Sequence, residues 1–229
     1  MHIDSRRVSS NQPHTNTRLP HIVRRHLTHR HQKPVAAHSR TAFGRLLASV
    51  QASPRPLVLD SFCGTGRSTA QLALRHPDHL VVGVDKSAHR LAKHVASGSD
   101  NYLLLQADCE DIWQLLLHAE MCVDYHYLLY PNPWPKSRHL QRRVHGSAAF
   151  PWLVSLGGRI ELRSNWRIYV EEFGLAMHLA NHCGRVFILP EAAPMTLFEE
   201  KYRASGHPLW VYVGDTRKTS QSDDTGLLS

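Results

Sequence analysis

The stretch LVLDSFCGTGRSTAQLALRH, residues 57–76, decides the architecture. LVLDSF (57–62) is a short apolar run interrupted by one acid, and it reads as a strand buried on both faces. Gly64 and Gly66 follow, at the spacing of a tight strand-to-helix turn that lets a ligand approach the backbone. RSTAQLALRH (67–76) carries Ala70, Leu72, Ala73 and Leu74 and reads as a helix. Outward from this unit the pattern repeats. LVVGVD (80–85), YLLLQAD (102–108), DYHYLLY (124–130) and GGRIELRS (157–164) read as strands. AHRLAKHVAS (88–97), EDIWQLLLHA (110–119), a segment over about 138–155, and WRIYVEEFGLAMHLANH (166–182) read as helices. AAHSRTAFGRLLASVQ (36–51) supplies a helix before the first strand, and SPRP ends it. Short strands near RVFIL and LWVYV close the chain. Repeated β-α units of this length predict an α/β fold with a doubly wound, mostly parallel, Rossmann-like sheet.

The chain has 229 residues, enough for one such domain with a sizeable core. Its net charge of +8 is unevenly spread. Residues 1–40 hold eight Lys/Arg against Asp4 alone, while the rest is nearly neutral. We therefore expect a basic, largely disordered arm over 1–34, a main domain over 35–215 and a loose polar tail over 216–229. Such an arm suits a polyanion, nucleic acid first, and deleting it should weaken RNA binding without touching cofactor binding. The arm's histidines, among them His26, His29 and His31, lack a paired metal-ligand spacing, so no metal is expected. Cys63, Cys109, Cys122 and Cys183 form no C-x-x-C and read as reduced thiols of a cytoplasmic protein. No apolar run approaches the ~20 residues of a membrane span.

In a doubly wound sheet, ligands bind at the carboxyl ends of the strands. Three successive strand ends carry acids: Asp60, Asp85 and Asp108. Asp60 could reach a cationic amine, Asp85 ribose hydroxyls and Asp108 an adenine amine. A nicotinamide site usually shows G-x-G-x-x-G, but Thr69 stands at the third position here. Glycines preceded by an acid suit S-adenosylmethionine better than a pyrophosphate. Helix capping by Asp60 or Asp108 explains either acid alone but does not predict all three together.

The fourth strand runs into LLYPNPWPKSRHLQRR (128–143). Three prolines in five residues exclude a helix or central strand and give a stiff loop at the sheet's mouth. Trp134 could stack on a base or rest against the fold, and Lys136, Arg138, Arg142 and Arg143 could grip phosphates. This loop resembles that of the TrmB-type tRNA (guanine-N7)-methyltransferases, whose pattern is Phe-Pro-Asp-Pro-Trp, a Lys, and an Arg-His-x-x-Arg-Arg helix. LGGRIELRSNW (156–166) and TLFEEKYRASGH (196–207) resemble later segments of the same family. The resemblance implies a class I S-adenosylmethionine-dependent methyltransferase acting on tRNA, with no metal. It implies that Asp60, Asp85 and Asp108 contact the cofactor, with Gly64 and Gly66 in the turn. Asn132 would lie between cofactor and base, Lys136 and Arg138 would contact RNA, and Asn165, Thr196, Phe198 and Glu199 would line the guanosine pocket.

Two family aspartates are replaced, by Asn132 and Asn165. Guanine N7 needs no general base, but it becomes cationic on methylation, and a nearby carboxylate stabilises that charge. Their loss points to weakened N7 transfer, a paralogue with another acceptor, or a protein that binds tRNA without catalysis. An Asn beside prolines can also accept from an exocyclic amine.

Overall fold

The computed structural model describes residues 5–29 and 31–217. Seven strands form one sheet: β1 (Leu57–Ser61), β2 (Leu80–Asp85), β3 (Tyr102–Gln106), β4 (Tyr125–Leu129), β5 (Arg159–Ser164), β6 (Gly184–Ile188) and β7 (Trp210–Asp215). Their spatial order is β3-β2-β1-β4-β5-β7-β6. The first five strands are parallel, and β7 runs antiparallel to both β5 and β6. The helices are α1 (Leu19–Thr28), α2 (Ala37–Ala52), α3 (Arg67–Arg75), α4 (Ala88–Leu91), α5 (Cys109–His118), α6 (Phe150–Ser155), α7 (Arg167–Leu179) and α8 (Leu197–Ala204). The strand order reverses between β1 and β4, which opens a crevice at their carboxyl ends.

Every residue of β1 and β2 is buried, as continuous apolar strands require. Alternation sorts them between two cores. Leu57, Leu59, Leu80 and Val82 join the larger cluster with α1, α2, α5, α6 and α7. Val58 and Val81 face Leu72 and Ala73 of α3 and Met195 on the other side. Gly83 lets α3 sit close on β2, because a Cβ there would stand 2.2 Å from Thr69 Oγ1.

The structure departs from the sequence reading in four places. The basic arm, expected to be largely disordered, contains a packed helix: α1 buries Leu19, Ile22 and Val23 and packs on α7. Net charge hid that i, i+3, i+4 apolar stripe. The helix over 88–97 stops at Leu91; α4 buries none of its residues, and Val95 is 83% exposed, so nothing rewards further winding. The helix over 138–155 divides into 3-10 turns at Ser137–Arg142 and Val144–Gly146, followed by α6. Gly146 lies against the Leu140 carbonyl, where a Cβ would come within 2.1 Å, so the chain doubles back there. Finally, α8 forms around the Thr-x-Phe-Glu segment, capped by Thr196. The polar tail expected over 216–229 lies, beyond Arg217, outside the described residues. Among the described residues no helix is long and apolar enough to cross a membrane, and no cluster of His, Cys, Asp and Glu suits a metal.

Candidate active site

A cavity of about 390 Å³ opens at the carboxyl ends of β1, β2 and β4. Phe62, Asp85, Asp108, Trp113, Tyr130 and Asn132 are among the residues lining it. Three of the five described non-glycine residues at positive φ are here: Phe62 (64°), Tyr130 (56°) and Trp134 (45°). A left-handed backbone costs bulky residues ~1–3 kcal/mol each, and such strain gathers where geometry serves a ligand.

Asp85 ends β2 and is 1% exposed. Its Oδ2 accepts the Gly64 N–H at 3.0 Å, and its Oδ1 accepts from Ser87 N and Arg90 Nη2, each at 2.8 Å. The Arg90 side chain is 43% exposed, so it can yield Oδ1 to another donor. Asp108 precedes α5 with its carboxylate 41% exposed to the cavity, and Lys33 Nζ stands 4.0 Å away.

Asp60 behaves differently. It is fully buried and does not line the cavity. Its Oδ2 accepts the Ser68 and Thr69 hydroxyls at 2.7 Å each, tying β1 to the first turn of α3. Burial outweighs those hydrogen bonds and pushes its carboxyl up to about 6. Gly64 (φ 62°) and Gly66 (φ 75°) shape the turn without lining the cavity.

Across the cavity, Asn132 is exposed, and its Oδ1 accepts the Trp134 N–H at 3.3 Å. That bond fixes the amide's orientation and leaves Nδ2 as the outward group. Trp134 does two things: its half-buried ring lines the cavity, and Arg142 lies over it at 4.8 Å. Lys136 and Arg138 are exposed. Arg143, expected to grip phosphate, is fully buried and ion-paired with Glu172. The 3-10 geometry accounts for the split between outward Arg142 and inward Arg143, and it removes the α-helical i, i+4 face expected for Arg138 and Arg142.

Of the residues placed in a guanosine pocket, Phe198 lines this cavity. Thr196 is 9% exposed, and its hydroxyl caps α8 by accepting the Glu199 N–H at 2.9 Å. Glu199 is fully buried between Arg163 (2.9 Å) and Arg203 (3.1 Å). Asn165 meets His207 at 3.3 Å, away from the cavity. Sequence reasoning missed Phe62, Arg90 and Trp113. Trp113 follows Cys109 by one helical turn, a periodicity that could have revealed it.

The cavity has the size of a small-molecule site. Two strand-end carboxylates, two aromatic walls and a neutral amide opposite fit a nucleoside bearing hydroxyls and a cationic sulfonium. A sheet of this order with such a crevice defines a class I methyltransferase fold. Residues 54–212 match a family described as "Putative methyltransferase". The 16S rRNA methyltransferase KamB shares the fold with a TM-score of 0.56 and 18% identity, over 80% of this chain and 94% of that one.

Sequence relatives narrow the class. The tRNA (guanine-N(7)-)-methyltransferase of Nitrosospira multiformis is 31% identical over 178 residues, 73% of this chain and 77% of its own. That of Zymomonas mobilis is 30% identical over 172 residues, 69% and 74% of the two chains. The chain belongs to the tRNA (guanine-N7)-methyltransferase family.

Proposed function

We propose that this protein methylates tRNA from S-adenosylmethionine, with guanine N7 as the acceptor. One observation carries the reading: the strand-end acids Asp85 and Asp108 and the strained Asn132–Trp134 loop face one another across a single cavity. The names of the relatives support the substrate. When bound, S-adenosylmethionine supplies an electrophilic sulfonium methyl. Asp85 and Asp108 would hold it by its hydroxyls and amine, while Asp60 holds the turn that frames it. Phe62 and Trp113 exclude water from its apolar parts. Asn132 turns a neutral donor toward the acceptor, and a carbonyl such as guanine O6, beside N7, suits that donor. An exocyclic amine would have to use the second lone pair of Oδ1, the first being engaged by the Trp134 N–H.

The RNA path runs from the cavity over exposed Lys136, Arg138 and Arg142. A shallow groove lined by Arg18, Ile22, Ser137 and Arg138 continues it to α1, whose exposed Arg24 and Arg25 extend the positive surface. Asn132 and Asn165 favour one second reading, a paralogue with a different acceptor. Tritiated methyl transfer to bulk tRNA, followed by nucleoside analysis, decides between them. 7-Methylguanosine supports the proposal, and another methylated nucleoside supports the paralogue. Calorimetry showing tRNA binding but no cofactor binding would leave a non-catalytic binder.

A further inference from the structure

The segment before α1 has no regular structure, yet Gln12 and Asn16 are buried in it. Both reach one carboxylate. Glu172 lies in α7 with no exposed surface. Its Oε1 accepts from Gln12 Nε2 at 2.6 Å and from Asn16 N at 2.7 Å. Its Oε2 accepts from Arg143 Nη1 and from His145 Nε2, the latter at 3.0 Å. Four donors therefore converge on a single buried acid.

The same N-terminal stretch and Arg143 hold the Pro-rich loop by its backbone. Arg143 Nε and Nη2 each donate to the Trp134 carbonyl at 3.2 Å. Ser10 Oγ donates to the Pro135 carbonyl at 2.6 Å. Asn16 Nδ2 donates to the Ser137 carbonyl at 3.2 Å, and Asn11 Oδ1 accepts the Ser137 N–H at 3.1 Å. A loop with three prolines lacks the N–H groups to bond its own carbonyls, so its donors must come from elsewhere. Here they come from Ser10, Asn16 and Arg143, the last two of which also bind Glu172. The loop they hold includes Trp134 at φ 45°, a conformation that persists only when the surroundings impose it.

We propose that residues 10–16 are a strap that positions the acceptor loop, and that Glu172 is the positioning residue to which strap and loop are both fastened. The catalytic consequence rests on the methyl-transfer reading above; the strap itself does not. With the strap loosened, Asn132 and Trp134 lose their fixed placement while the Asp85–Asp108 side of the cavity stays intact.

The test uses the full-length double variant Gln12→Ala/Asn16→Ala, which spares the Arg143–Glu172 pair. Leu46→Ala, in α2, serves as a control of comparable or greater destabilisation. Amide hydrogen exchange read by mass spectrometry should rise at least tenfold over residues 132–140 and stay unchanged over β1 and β2. With tRNA as substrate, kcat should fall at least tenfold, and the dissociation constant for S-adenosylmethionine should stay within threefold. Leu46→Ala should lower Tm without lowering kcat at temperatures well below it. Unchanged exchange over the loop overturns the proposal, as does faster exchange with undiminished kcat. If the wild type transfers no methyl to tRNA, the functional reading fails, and the exchange measurement alone decides whether the strap exists.

Discussion

Asp60→Asn separates a buried charge from the groups that surround it. In the folded protein the Asp60 carboxyl titrates near 6, up from an ordinary value of 3.8, chiefly because burial disfavours its charge. Its ionised form therefore lowers stability by ~3 kcal/mol above pH 6, at ~1.4 kcal/mol per pKa unit. As pH falls from 6 to 3.8, the folded state takes up this proton first, and stability is regained. His126 works in the opposite direction. Burial lowers its imidazole from 6.5 to about 3, so the unfolded chain binds the proton first and stability is lost as pH falls below 6.5. At pH 5 the His126 loss is ~2 kcal/mol and the Asp60 gain ~1.4 kcal/mol, so the two nearly cancel in the wild type. Asp60→Asn removes only the gain. An amide also leaves a donor where Asp60 Oδ1 has no partner, a pH-independent cost of ~1–3 kcal/mol. The absolute offset at pH 8 thus depends on that donor, but the pH dependence does not. Urea unfolding at pH 8, 7, 6 and 5 should show the variant losing ~1.4 kcal/mol more than wild type between pH 8 and 5, ~1 kcal/mol of it below pH 6. Parallel curves would refute the account of Asp60 as a desolvated charge.

Asn132→Asp restores a carboxylate beside a developing cation and should raise kcat for 7-methylguanosine formation several-fold; unchanged or lower activity would show that the amide suits the true acceptor. Arg24→Gln/Arg25→Gln removes two exposed charges from α1. It should flatten the slope of log affinity for tRNA against log salt by ~1–2 and leave cofactor binding unchanged, with filter binding as the assay. Gly83→Ala drives a methyl against Thr69 Oγ1 at 2.2 Å and should cost ~1–3 kcal/mol in thermal unfolding, since α3 must move off β2. A loss under ~0.5 kcal/mol would mean that α3 yields freely.

The sheet was legible because β1 and β2 are buried, mostly apolar runs that set the β-α repeat, and β1 through β5 fall where strands were read. Asp85 and Asp108 were legible as residues lining the crevice because ligand cavities open at strand ends in this topology. Asp60 shares their position in sequence but not their orientation. The difference lies in Ser68 and Thr69, two hydroxyls in the first turn of α3 that draw its carboxylate inward. Arg142 and Arg143 look alike in the sequence, and only the partner of the second distinguishes them. That partner had a signature. Along α7, Tyr169, Glu172, Phe173 and Ala176 follow helical spacing and are all buried. An acid on such a face must find a buried cation or hydrogen-bond donors. That spacing carries the acid's demand, which the sequence reading did not draw, but it does not say which of the many arginines meets it.

The N-terminus shows why charge alone misjudges a segment. Eight cations against one acid predict a solvated handle, and the exposed Arg18, Arg24 and Arg25 are consistent with one. Yet the same forty residues place Leu19, Ile22 and Val23 in the core and Gln12 and Asn16 on Glu172. Burial in water-free contacts is set by a few apolar and amide positions, which a net-charge count averages away. Deleting residues 1–34 would therefore strip three core side chains and two of Glu172's donors along with the positive surface. Lost RNA binding in that truncation would say nothing specific about electrostatics, and cofactor binding need not survive it. Neutralising exposed arginines on α1 tests the handle, and substituting the buried amides tests the strap. If both surfaces act as argued, the two sets of variants fail differently: the first in affinity and salt dependence, the second in turnover.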